Sequence, residues 1–95
     1  MARKPRLLIV EDDVLMGLEL GEFLADDFEI LSVVVSGEEA VDRARSACPD
    51  LILMDIRLKG DMDGIEASRL IRRDSKAPII FITGYKDNVT MARVR

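Results

Sequence analysis

Acidic residues stand at the ends of two apolar runs in this chain, and a hydroxyl stands at the end of another. Glu11, Asp12 and Asp13 follow Leu7-Leu8-Ile9-Val10 at once, Asp55 follows Leu51-Ile52-Leu53-Met54, and Thr83 follows Ile79-Ile80-Phe81-Ile82. If the runs ending at Val10 and Met54 are neighbouring strands, these groups converge on one edge of a sheet. Carboxylates held close together repel one another unless a cation or protons compensate. A small number of hard oxygen ligands, with water completing the shell, suits Mg2+. An aspartate beside such an ion can act as a carboxylate nucleophile toward a phosphoryl group, the metal neutralising the developing charge. A nearby threonine hydroxyl can donate a hydrogen bond to a phosphoryl oxygen. Other chemistry is closed off. The chain has no histidine and one cysteine, Cys48, which excludes His-dependent catalysis, zinc sites built from either residue and an internal disulfide.

The elements that must position these groups alternate along the chain. Leu7–Val10 is a short continuous apolar run, as expected of a strand covered on both faces. From Val14 to about Asp26, Leu15, Leu18 and Phe23 recur near helical spacing, with Asp12 or Asp13 as the N-cap, and the apolar residues of 14–28 read as core. Ile30–Val35 is β-branched and strand-like. Ser36 and Glu39 fit a capping box that opens a helix through about Ala47, stopped by Pro49. Leu51–Met54 is the next strand, followed by a loop over 56–64. Ile65–Arg73 reads as a helix with basic residues toward its C-terminus, where the dipole favours them. Ile79–Ile82 is a fourth strand, and Asp87 or Asn88 starts a last helix. This order, apolar strands alternating with helices, predicts an α/β fold with a doubly wound parallel sheet. In such sheets ligands sit at the C-terminal strand ends.

Size and charge set further bounds. The 95 residues are 48% hydrophobic and 34% charged with a net charge of −4, which describes one small folded domain rather than a disordered chain. Its apolar stretches fall far short of the ~18 residues a membrane span requires, and the N-terminus is no signal peptide. A cytoplasmic protein is the expectation. The charge is uneven: residues 11–66 hold sixteen acids against four bases, whereas residues 67–95 hold seven bases against two acids. The acidic part argues against direct nucleic-acid contact there.

Four segments in this order resemble the receiver domain of two-component response regulators: Leu7–Asp13, Pro49–Asp55, Met62–Glu66 and Pro78–Gly84. The resemblance covers essentially the whole chain and implies a flavodoxin-like strand order of 2-1-3-4-5. It implies that Asp55 is the phosphoacceptor, charged by a sensor histidine kinase or a histidine phosphotransfer protein. It also implies that Glu11 and Asp12 hold Mg2+ together with Asp55 and the backbone carbonyl of Arg57. Thr83 matches the hydroxyl that moves toward the phosphoryl group, and Gly84 the small residue that leaves room for it. The role is that of a switch, and its only catalysis is its own phosphorylation and dephosphorylation.

Two departures from the family pattern stand out. The loop over 56–64 is one residue longer than the common version and has Lys59 where proline is usual, which reads as a change that leaves the chemistry intact. The family's fifth strand and helix, with a phosphate-pairing lysine, lie past the last residue, Arg95. The expectation is therefore a single receiver domain over 1–95, incomplete at its C-terminus, in which order 2-1-3-4 remains. It would be marginally stable or form a homodimer, with exchange of elements as one route. A non-cycling interaction module of the same fold is the alternative function. Asp13 stays open between a metal carboxylate and a helix cap, with the cap favoured. Asp61-Met62-Asp63-Gly64 reads as a turn, Arg69, Arg72 and Arg73 as a solvated face or a partner contact, and Cys48 as a small structural residue.

Overall fold

The computed structural model describes residues 3–82. Four parallel strands, β1 (Arg6–Val10), β2 (Glu29–Val34), β3 (Leu51–Asp55) and β4 (Ile79–Ile82), form one sheet in the order β2-β1-β3-β4. Three helices connect them: α1 (Val14–Leu24), α2 (Gly37–Ala47) and α3 (Gly64–Asp74). The expected α/β class and the 2-1-3-4 order are both present. Thr83, Gly84 and the expected last helix lie outside the described residues.

The continuous apolar run of β1 has its physical reason in this order. β1 lies between β2 and β3, and Leu7, Leu8, Ile9 and Val10 are all fully buried. Because side chains alternate along a strand, Leu8 and Val10 face one layer of helices while Leu7 and Ile9 face the other. On the first face, α2 and α3 close over Leu8, Val10, Ile52 and Met54 with Ala40, Val41, Ala44, Ala67 and Ile71, and Leu58 joins from the β3–α3 loop.

The opposite face is built differently and corrects the expectation for residues 14–28. Helix α1 meets the sheet through Gly17 and Gly21, which lie against Val33, Ile30 and Ile9. Its apolar residues Val14, Leu15, Leu18 and Phe23 are 57%, 67%, 52% and 81% exposed. The half-buried Met16, Leu20 and Leu24 remain on the covered side, while these four point to solvent. The helix also ends at Leu24 rather than near Asp26, consistent with two acids, Asp26 and Asp27, being unfavourable at a helix C-terminus.

Local signals set the other helix ends. Ser36 caps α2, its Oγ accepting from the Glu39 N–H at 3.1 Å. The Glu39 carboxylate reaches back one residue further than in a capping box, accepting from the Val35 N–H at 3.3 Å. Cys48 closes α2 in the left-handed region, φ 49° and ψ 63°, a conformation more often given to glycine or asparagine. Asp63 caps α3 by accepting from Glu66 N–H at 2.9 Å, so the Asp61–Gly64 segment is a turn leading into a helix.

Two glycine substitutions test this packing in opposite directions. A Cβ at Gly64 would collide with the Asp55 carbonyl oxygen, whereas one at Gly21 would make only ordinary contacts of 3.8–3.9 Å. Urea denaturation is expected to show Gly64→Ala destabilised by ~2 kcal/mol. Gly21→Ala, relieved of a flexible mid-helix residue, is expected to be stabilised by up to ~1 kcal/mol. Equal effects of the two changes would contradict the packing.

Candidate functional site

The central strand pair assembles the site. Val10 lies opposite Met54 in the parallel register, so the next residues, Glu11 and Asp55, emerge side by side at the C-terminal edge. The sheet network continues past both: the Glu11 N–H donates to the Val34 carbonyl at 2.9 Å and the Ile56 N–H to the Ile82 carbonyl at 3.2 Å. Each carboxylate is 2% exposed.

Asp12 completes a group of three. One carboxylate oxygen from each of Glu11, Asp12 and Asp55 lies within 4.8 Å of the others. The remaining hydrogen bonds sort the nearby residues by role. The Asp13 side chain accepts from the Met16 N–H at 3.1 Å as the N-cap of α1, while its own N–H donates to Glu11 Oε2 at 3.0 Å. Asp13 is thus the cap. The Arg57 N–H donates to Asp55 Oδ1 at 3.1 Å and fixes that carboxylate from the loop side. Asp12 Oδ2 accepts from the Lys59 N–H at 3.0 Å, and its other oxygen, Oδ1, is buried without a hydrogen-bond partner among the described residues. The Lys59 amide, like the amides of Asp13 and Arg57, is a participant not foreseen from the residues. Its only trace in the sequence is a residue with an N–H at that point of the loop.

The electrostatics follow from burial and crowding. Glu11 is raised from its ordinary value of 4.5 to about 7, mainly because burial disfavours its charged form. The Asp13 amide opposes this by stabilising the anion, while the charge of Asp55 and the closeness of the Asp55 and Asp12 carboxylates add to the rise. A divalent cation would satisfy such a site. It would supply charge to three crowded carboxylates and a partner to the orphaned Asp12 Oδ1, and oxygen-only ligands suit a hard ion.

The family now follows. The profile of the response regulator receiver domain matches residues 7–95. The chain belongs to the response regulator receiver family. It is 35% identical over 91 residues to the transcriptional regulatory protein PdtaR of Mycobacterium tuberculosis, covering 95% of this chain and 44% of PdtaR. Among solved structures, the signal receiver domain of a modulated diguanylate cyclase from Desulfovibrio desulfuricans superposes with TM-score 0.81 at 39% identity, over 96% of this chain and 73% of that one. The response regulator domain of Thermotoga maritima CheB superposes with TM-score 0.80 at 28% identity, over 98% and 72%. The chain spans less than half the length of the curated relative PdtaR. Receiver domains are signalling domains of two-component systems, and the family implies histidine kinases as partners. No helix among the described residues is long and apolar enough to cross a membrane.

The Glu11 shift predicts an unusual pH response for this receiver. An acid whose folded-state pKa lies above its unfolded value binds more protons when folded, so stability falls as pH rises between the two values. In chelator-containing buffer, the contribution of Glu11 is expected to weaken the fold as pH rises from 4.5 to about 7. Urea midpoints against pH should show a flatter profile for Glu11→Gln, with the variant the more stable of the two above neutrality. Superimposable profiles would refute the assignment.

Proposed function

We propose that the chain is the phosphoacceptor domain of a two-component phosphorelay, with residues 1–95 belonging to a single receiver domain. Asp55 receives a phosphoryl group from the phosphohistidine of a sensor histidine kinase or histidine phosphotransfer protein. Glu11, Asp12, Asp55 and the backbone carbonyl of Arg57 are the proposed ligands of Mg2+. The observation that carries the reading is the set of three carboxylates within 4.8 Å, one with a buried oxygen lacking a partner, on a receiver chain.

In the transfer, a carboxylate oxygen of Asp55 forms a bond to phosphorus as the donor's nitrogen–phosphorus bond breaks. The Arg57 amide, bound to Asp55 Oδ1, sets the plane of the nucleophile. Bound Mg2+ supplies charge neutralisation for the phosphoryl oxygens. Thr83 is the proposed hydroxyl donor to a phosphoryl oxygen, with Gly84 leaving room beside it. Phosphorylation then acts by shifting the population of two conformations that differ in their affinity for an output partner. The domain works in the cytoplasm, makes no direct nucleic-acid contact and turns over no metabolite.

Incubation with a small-molecule phosphodonor and Mg2+, followed by intact mass measurement, is expected to add one phosphoryl group. The adduct should vanish in Asp55→Asn and form at least tenfold more slowly in Asp12→Asn, since disturbing metal ligation commonly costs that much. An adduct that survives Asp55→Asn, or none in the native chain, would overturn the reading. A non-cycling interaction module of the same fold would show neither the adduct nor an Asp55-dependent affinity for Mg2+.

A further inference from the structure

Asp12 differs from the other two acids in how it is held. Glu11 and Asp55 are fixed by the sheet, but Asp12 sits in the β1–α1 connection and has no strand to orient it. Its side chain is tied instead to the β3–α3 loop, where the Lys59 N–H donates to Oδ2 at 3.0 Å, a contact between residues 47 positions apart. With Oδ2 engaged there, Oδ1 is left buried and unpartnered on a residue of the three-carboxylate group. The loop can hold its amide in place because both neighbours constrain it. Leu58 is 7% exposed and packs into the α2–α3 core. Gly60 turns the chain away immediately afterwards, with φ +100°. The Lys59 side chain itself is exposed, so the functional group at this position is the amide.

We infer that the backbone N–H of Lys59 is a positioning group for the cation site: it aims Asp12 Oδ1 into the carboxylate cluster and couples cation binding to the conformation of the β3–α3 loop. The inference rests on the Mg2+ reading above. It also gives a consequence to the non-proline residue at position 59. Proline has no N–H and could not make this bond. The extra loop residue and Lys59 are then part of how this receiver holds its metal.

The test compares Lys59→Pro, which deletes the donor, with Lys59→Ala, which removes the charge and keeps it. Calorimetric Mg2+ titration of the unphosphorylated protein is expected to show affinity about tenfold weaker for Lys59→Pro and within about twofold of native for Lys59→Ala, in line with losses on removing outer partners of metal ligands. Circular dichroism and urea midpoints establish that the proline variant is folded. A second measurement does not depend on that variant. In the native protein the Lys59 amide should be protected from hydrogen exchange, lose that protection in Asp12→Ala, and shift its NMR resonance on Mg2+ addition. Native binding with unchanged affinity in folded Lys59→Pro, or a Lys59 amide indifferent to Asp12→Ala, overturns the positioning role alone. A native chain that binds no Mg2+ overturns the metal-site reading beneath it.

Discussion

The structure turns on the parallel pairing of β1 with β3, because it brings two buried carboxylates together at one edge of the sheet. Two full charges about 4 Å apart repel by ~4 kcal/mol at an effective dielectric constant near 20. That is a large share of the ~5–15 kcal/mol by which small domains are usually stable. The molecule answers by making Glu11 harder to ionise and by directing backbone amides at the carboxylates: Asp13 at Glu11, Arg57 at Asp55, Lys59 at Asp12. A site built this way could hold a cation.

The rest of the fold keeps that edge rigid. The α2–α3 side is densely filled by small residues, Ala40, Ala44 and Ala67, against Leu8, Val10, Ile52 and Met54. Leu58 extends this core into the loop beside the site, and the Gly64 N–H donates to the Ile56 carbonyl at 3.0 Å, closing the loop at its far end. At the opposite edge of the sheet an exposed ion pair, Arg45 with Asp74 at 2.8 Å, links α2 to α3, but at that exposure it adds little to stability. Rigidity around the acids comes from buried apolar contacts and main-chain hydrogen bonds.

Much of this was legible from the residues. Continuous apolar runs at 7–10 and 51–54 identify strands buried on both sides, and acids placed at once after them identify the functional edge. Ser36 with Glu39 marks the start of α2, and Pro49 its end. What failed was helical periodicity as a guide to burial in α1. Leu15, Leu18 and Phe23 have the spacing of a core face, yet Gly17 and Gly21 make the contact with the sheet. Periodicity reports which side chains share a helix face. It carries no information on which face a close-packing glycine pair selects. The left-handed Cys48 was equally hidden, since nothing about a cysteine before proline announces a positive φ.

By itself, then, the sequence determined the α/β class, the strand-end acids and the family, because these depend on residue type and order along the chain. Only the tertiary structure decided which acids act together and how. Asp13 turns away to cap a helix, Asp12 is held by an amide 47 residues distant, and Glu11 is driven toward neutrality by burial beside Asp55. The cap is a local contact, but the other two are contacts between segments far apart in sequence. Such contacts exist only once the sheet has set β1 beside β3.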